Sequence, residues 1–305
     1  MKRESFIQKY YLVCIGGFML ASLLLFTIVG PILPFVDREL STITYILDEN
    51  KKPVIPPYPP SSEHWFGTDT KGRDLFSLLV MGARETLIIV LLITIIRYIF
   101  AIPLAFFAHK NRFGAHYFLP CINGLLSYIP TIIIVILLVM LPPILTIDTR
   151  PYYIILIIAL VEVGRAADMI RLEMDELSKR EYVLGGIAAG ATPVRIFTAY
   201  ILPFLYGRIF VYAISDLGKV MFLLGQLGFI GIFISQEFIQ NEAGGFELIN
   251  NSITWPMMLI NAFQDIRGPI WIPFFSAFAM TFAIFTFNLF AEGLKKVFSK
   301  KVRYI

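Results

Sequence analysis

The chain is poor in charge, histidine and cysteine, and it lacks the short motifs that mark common catalytic centres. Asp, Glu, Lys and Arg make up only 16% of its 305 residues, beside three histidines and two cysteines. It has no G-x-x-x-x-G-K-[ST] string, so it carries no phosphate loop with which to bind ATP. H-E-x-x-H and G-x-S-x-G are missing as well, and with them the usual zinc- and serine-hydrolase signatures. His64, His109 and His116 are scattered over expected loops and span ends, where they read as interfacial or solvated side chains and not as a metal site. Cys14 and Cys121 both lie inside apolar runs and read as small core hydrophobes, not as a disulfide or metal pair. No internal repeat, low-complexity tract or zinc-type cysteine spacing is present.

What the chain has instead is apolar surface. Hydrophobic residues are 57% of the sequence and the mean hydropathy is +0.73, more than a soluble domain of this length can bury. Six runs are long enough to cross roughly 30 Å of hydrocarbon. They are 11–36, 86–108, 117–141, 152–171, 206–229 and 271–293. The expectation is an all-α polytopic membrane protein with six transmembrane helices and the lipid bilayer as its solvent. Residues 1–34 begin like a signal peptide, but the apolar stretch is too long and has no small-x-small cleavage site, so a retained span is expected.

Charge orients these runs. Lys2, Arg3 and Lys9 precede the first, and Lys295, Lys296, Lys300, Lys301 and Arg303 follow the last. Lys110 and Arg112 follow the second, and Lys179, Arg180 and Arg195 lie in the central connection. The connections after the third and fifth hold only Arg150 and Arg267. The positive-inside rule therefore puts both termini and the central loop in the cytoplasm. The net charge of +4 expresses that orientation and implies no nucleic-acid partner.

The long outside segment is 37–84. Its Pro53–Pro60 stretch should be extended and helix-free. After it come Gly67-Thr68-Asp69-Thr70-Lys71-Gly72-Arg73-Asp74 and then Gly82-Ala83-Arg84. Taken alone, this is a polar turn of alternating charge, satisfied locally by pairs of the Asp69–Arg73 kind. The same string, through Gly67, Thr68, Asp69, Gly72, Arg73 and Asp74, resembles the lead-in to the permease core of oligopeptide, dipeptide and nickel ABC importers, in their C-type subunit. Ile129-Pro130-Thr131, Phe229-Ile230-Gly231, Thr254-Trp255 and Phe287–Leu294 carry the likeness onward, so that it spans about residues 11 to 296. The stretch Gln236–Asn251 has no counterpart. Trp65, Trp255 and Trp271 map to the outer side, where interfacial anchoring is the default role; Trp255 is the exception, since it sits with Pro256 in the middle of the long outside loop, which in relatives dips back over the translocation path.

Between the fourth and fifth runs lies Glu181–Pro203, rich in small residues. Gly185, Gly186 and Gly190 sit among alanines that include Ala191, Thr192-Pro193 reads as a helix stop and restart, and Leu202-Pro203 closes the unit. The expected form is a short helix, a glycine turn and a second short helix. Gly190, Leu202 and Pro203 resemble the cytoplasmic "EAA" loop of ABC-importer permeases, whose first helix docks on an ATPase subunit. Glu181 and Tyr182 align with its approach. Leu184 stands where the family has glutamate, Gly185 and Gly186 where it has alanines, and Tyr200 where it has isoleucine.

Four ionisable residues fall near the middle of expected spans: Arg97, Glu162, Asp216 and Lys219. Each costs roughly 2.5–3.5 kcal/mol at a helix centre, so lipid exposure is not expected. Asp216 and Lys219 are three residues apart and can pair within one helix, while Arg97 and Glu162 lie at similar depth and can pair between helices. These groups read either as a path for a charged or zwitterionic solute, or as buried pairs that fix register. Arg165 and Asp168 read as a helix-end pair.

The resemblance implies a type I ABC importer permease fold, an N-terminal extra span (within 1–36) before a five-span core (85–293), a coupling loop at about 172–205, and a basic tail (294–305). It also implies a bacterial cell membrane location. The implied partners are a second permease subunit, two cytoplasmic ATPase subunits and an extracytoplasmic solute-binding protein. ATP and Mg would sit on the ATPases, with no cofactor in this chain and no catalysis by it. The competing reading is an ion-coupled secondary carrier that uses Glu162 or Asp216, although such carriers usually show repeated halves.

Overall fold

In hydrocarbon every backbone N–H must find its partner within its own segment, so long runs of Leu, Ile, Phe and Ala fold as helices. The computed structural model describes residues 6–47, 52–110, 115–126, 128–145, 147, 149–232, 234, 236–240, 246–250 and 252–301. Side-chain surroundings are given for all of these but 6–9, 115, 116, 118, 122, 125, 236–240, 246–250 and 299–301. Lys2, Arg3, Arg112 and Arg303 of the orientation argument lie outside the described residues, and so do the surroundings of His116.

In chain order the helices are α1 (Phe6–Val29), α2 (Leu75–His109), α3 (Ala115–Leu126), α4 (Thr131–Val139), α5 (Pro142–Leu145) and α6 (Arg150–Val161). They continue as α7 (Val163–Ser178), α8 (Glu181–Ala188), α9 (Pro193–Arg195), α10 (Leu202–Ile230), α11 (Ala262–Asp265) and α12 (Trp271–Lys301). Four stretches are long and apolar enough to cross a membrane: Tyr10–Ile32, Leu75–His109, Pro193–Ile230 and Trp271–Phe298. The expected third and fourth runs are each divided. Pro130 stands at the N-cap of α4, where its missing N–H and its restriction of Ile129 break the helix. Glu162 separates α6 from α7 in the bridge region, with φ −99° and ψ 1°.

α2 is the axis of the bundle. It packs on α6, α7 and α10, and touches α1, α3 and α12. Two apolar cores follow one another along it. The first gathers Val90 and Ile93 with Ile154 and Ile158 of α6, Met221 and Leu224 of α10, and Ala283 of α12. The second gathers Ala101 and Ala105 with Ala167, Ile170 and Met174 of α7 and Leu205 of α10. α1 packs against α12 and turns Phe18, Leu25 and Ile28 outward. Such apolar side chains over the outside of the bundle suit a surface facing lipid.

The fold is not purely helical. β1 (Ile46–Leu47) pairs with β2 (Pro53–Val54) at the start of the proline stretch, which is helix-free as expected. β3 (Gln236–Gln240) pairs antiparallel with β4 (Phe246–Asn250), with Gln236 opposite Asn250, so the stretch without a family counterpart holds two paired strands. Cys14 and Cys121 are exposed free thiols, correcting the expectation that they fill the core. Position within an apolar run says nothing about which side of a helix a residue faces, and a run in a membrane has two apolar sides.

Candidate functional site

At one end of the bundle lies the central loop. α8 is anchored by Val183, fully buried, and by Tyr182, whose ring lies 5.0 Å from that of Phe204. The flank of α8 beside Val183 presents Leu184 and Ile187, both about half exposed at 52% and 54%. Glu181 sits in the first turn of α8, where a carboxylate suits the positive end of the helix dipole. Gly190 then ends the helix with φ 78°, and Ala191 N–H donates back to Gly186 O at 3.1 Å, the usual glycine closure of a helix C-terminus. A Cβ on Gly190 would meet nothing within 4 Å, and none on Gly185 would either. Thr192 caps the restart by accepting from Arg195 N–H at 3.3 Å.

The second short helix is not a separate piece, which corrects the expected helix–turn–helix. α9 runs through a π-turn at Ile196–Ile201 directly into α10. The reason is Pro203: in a continuous α-helix its ring would meet the carbonyl of Ala199, and the wider π-turn relieves that clash. Leu202 and Pro203 therefore open α10 instead of closing the loop. Mechanically, a displacement of this loop is carried straight into a membrane-length helix.

Midway along α2, the junction of the two cores is polar. Asp216 of α10 is 3% exposed and takes donors from several directions. Tyr98 Oη lies 3.2 Å from its Oδ2, Arg97 Nη1 3.4 Å from the same oxygen, and Lys219 Nζ 2.8 Å from Oδ1. Arg97 also donates from Nη2 to Ile158 O at 3.1 Å and from Nε to Ala159 O at 3.4 Å. Those carbonyls belong to the last turn of α6, which ends before Glu162 and leaves its final acceptors without helical donors. Arg97 thus ties α2, α6 and α10 together.

The expected Arg97–Glu162 pair does not form. Arg97 is taken by the free carbonyls of α6 and by Asp216. Glu162 accepts from the Thr131 hydroxyl of α4 and from Arg165 Nη1, the latter at 3.1 Å. The expected Arg165–Asp168 pair is replaced too, since Arg165 reaches back to Glu162 while Asp168 pairs with Arg171 at 2.8 Å. Several charges share the same i, i+3 spacing here, so spacing alone could not select the pairs. Tyr98 escaped the sequence reading although its hydroxyl adjoins Arg97 in an apolar run. Nor is His109 solvated: its ring bridges Asp175, at 2.5 Å, and Ser178, at 3.2 Å, pinning the end of α2 to α7.

Beside this network, between α10 and α12, lies a cavity of about 410 Å³ lined by Tyr212, Ser215, Lys219, Asn288, Glu292 and Lys295. The Lys219 side chain is 58% exposed there. Polar groups on the flank of two apolar helices are costly against lipid, so this flank faces water or protein.

At the other end, the Asp69 and Arg73 charges of the Gly67–Asp74 turn pair within it, while its backbone is tied to neighbouring segments through Ile43 and Tyr58. Asp69 Oδ1 accepts from the N–H groups of Lys71 and Arg73, and its Oδ2 accepts from Arg73 Nη2 at 2.7 Å. Gly67 and Gly72 supply its two left-handed positions. Asp74 caps α2 by accepting from Ser77 N–H at 2.8 Å, and contacts His64 Nδ1 at 3.1 Å. Thr68 O accepts from the Trp271 indole at 3.1 Å, which fastens the turn to the start of α12.

Trp255 is no interfacial anchor. It is 1% exposed, donates from its indole to Leu79 O at 2.8 Å, and from its backbone N–H to Thr86 Oγ1 at 3.0 Å. Thr86 stands eleven residues into α2, so the segment dips about 16 Å along the helix axis. Gly82 makes room for it, because a Cβ there would lie 2.0 Å from Ile253 O. Trp65, by contrast, is 55% exposed, beside Phe35 and Phe76.

Among the described residues no three His, Cys, Asp or Glu side chains are grouped to hold a metal ion. The arrangement is a polar seam within an apolar helical bundle, with a loop of short helices continuous with a membrane-length helix: the class is a membrane permease component. Residues 97–304 match the family described as binding-protein-dependent transport system inner membrane components, and the chain belongs to that family, the permease subunits of bacterial ABC importers. It is 27% identical over 300 residues to a dipeptide transport system permease protein of Bacillus subtilis, covering 97% of this chain and 84% of that one. An oligopeptide transport system permease protein of the same organism is 25% identical over 96% of this chain and 86% of its own. A probable D,D-dipeptide transport system permease protein of Escherichia coli is 25% identical over 80% and 75%.

Proposed function

We propose that this chain is the C-type permease subunit of a peptide importer, lining one side of the solute pathway with the α10–α12 flank. The observation that carries this reading is Lys219: a half-exposed ammonium midway along a membrane-length helix requires a polar surface opposite it. A second permease subunit supplies that surface, and the solute passes between the two. Peptides, the cargo for which the dipeptide and oligopeptide relatives are named, carry charges of both signs, matching Lys219 and Glu292.

In this reading α3–α4 and α6–α7 each cross the membrane as a broken pair, which makes six spans with both termini cytoplasmic. The Gly67–Asp74 turn and the Trp255 segment then face outside, where the binding protein delivers solute. Two cytoplasmic ATPases, which hold the ATP and Mg, engage the two central loops. Leu184 and Ile187 give this chain's α8 an apolar contact where relatives use a glutamate. Closure of the ATPases moves α8, and α9 and α10 follow because the helix is continuous through the π-turn. Asp216 already serves Arg97, Tyr98 and Lys219, which disfavours a proton-carrier role.

The test is purification from native membranes in mild detergent followed by an ATPase assay. The reading expects an ATP-hydrolysing complex with a second permease. A lone chain without ATPase activity, under conditions that preserve a known ABC complex, removes it.

A further inference from the structure

One buried charge belongs neither to the seam nor to the loop. Asp265, the last residue of α11, is 7% exposed, and its carboxylate makes no hydrogen bond or ion pair with any described residue. It lines a cavity of about 390 Å³ at the α2 N-terminal end. Met257, Met258 and Ile272 give this cavity an apolar wall, and Lys71 and Arg73 also line it. The other carboxylate there, Asp69, is fully occupied by Arg73 and the turn's N–H groups. Lys71 is exposed and forms no ion pair with Asp265.

Buried carboxylates are ordinarily paired, because desolvation without a partner disfavours the ion. Burial accordingly pushes the Asp265 carboxyl above its ordinary pKa. The cavity therefore offers a charge without a counter-ion, reached along an apolar wall that suits a methylene stem. A single free carboxylate is a poor seat for a divalent metal, which wants several oxygen ligands. An ammonium or guanidinium on an alkyl chain fits both features.

We propose that this cavity is a socket for one lysine or arginine side chain of the binding protein on which the family's transport depends. The proposal rests on the reading that this end of the bundle faces outside. Position favours a docked side chain over a passing solute: the socket is walled by α2, the 253–265 segment and the start of α12, and includes no residue of α10, whose flank carries the seam. The contact holds the binding protein at the mouth of the permease through one desolvated ion pair, a kind of contact whose truncation on one side strongly weakens an interface.

The test uses the assembled complex in nanodiscs and the binding protein recovered with it. Asp265→Asn keeps shape and removes charge. The expected result is docking weakened about tenfold or more at about 0.1 M ionic strength, together with a higher thermal midpoint for the undocked complex, since an uncompensated charge is gone. A structural role for Asp265 predicts the opposite sign for the midpoint, so a fall there overturns the proposal. Unchanged docking overturns it as well. So does free n-butylguanidinium binding that requires Asp265 while docking does not. Sidedness is read separately, from Lys71→Cys in whole cells with a membrane-impermeant maleimide. Labelling supports the outside placement, and its absence overturns that placement and the socket with it.

Discussion

Arg97 and Lys219 share the carboxylate of Asp216, one on each oxygen, and only the lysine reaches open space. The buried arginine side chain is 2% exposed and the lysine 58%. One cation therefore serves the fold and the other is free to face solute or partner.

Removing Asp216 alone leaves Arg97 buried without its counter-charge. Asp216→Leu is expected to destabilise the solubilised protein by about 3–5 kcal/mol. Arg97→Leu combined with Asp216→Leu should cost less than the sum of the two single changes, whereas Arg97→Leu with Glu162→Leu should be additive. Denaturant unfolding in detergent, run as a double-mutant cycle, measures both. Coupling between Arg97 and Glu162 would contradict the geometry described here.

Lys219→Met should leave folding nearly intact, because the lysine is exposed and Asp216 keeps Arg97 and Tyr98 as partners. Uptake should fall while assembly persists. Parallel measurement of transport and of complex recovery separates the two, and normal uptake would take Lys219 out of the pathway.

Gly190→Arg places a long side chain on a turn with φ 78°, in space where a Cβ meets nothing. The strain of a non-glycine residue there is about 1–2 kcal/mol, small enough for membrane insertion to survive. Docking of the loop should fail, so ATP hydrolysis by the complex and uptake should separate. Solute-stimulated ATPase and uptake assayed side by side give the answer, and normal uptake would deny the loop its coupling role.

Trp255→Ala empties a fully buried site and removes the hydrogen bond to Leu79 O. A loss of about 3–5 kcal/mol is expected. Gly82→Val should act on the same contact from the other side, by pushing out the Ile253 carbonyl. Loss of protection of the 252–259 backbone in hydrogen exchange would report either change.

Asp265 gives a pH dependence of definite sign. Its carboxyl lies above the ordinary 3.8 because of burial, so in the window just above that value the folded state holds a proton that the unfolded chain has lost. Stability of the undocked protein should then fall as pH rises from 3.8 through the raised value. The neighbouring charges, Asp69, Lys71 and Arg73, are present in wild type and variant alike, so Asp265→Asn should flatten only this component. Thermal midpoints of both proteins across that range test it.

The sequence by itself determined the class. Apolar runs long enough for a bilayer can satisfy their backbone only as helices, and the Asp69–Arg73 pair within the Gly67–Asp74 string depends on residues close in the chain. The Thr192-Pro193 restart and the Gly190 turn were legible for the same reason. The local Asp69–Arg73 and Asp216–Lys219 pairs were legible too, but only the tertiary structure decided which charges meet between helices. Arg97 and Asp216 are 119 residues apart, and the choice of Asp216 over Glu162 came from the free carbonyls left where α6 stops. Trp255 became core and not anchor because Gly82 lets a distant segment lie against α2. Asp265 carried no sequence signal at all: a lone acid in a loop looks solvated until folding closes three segments around it and withholds a partner.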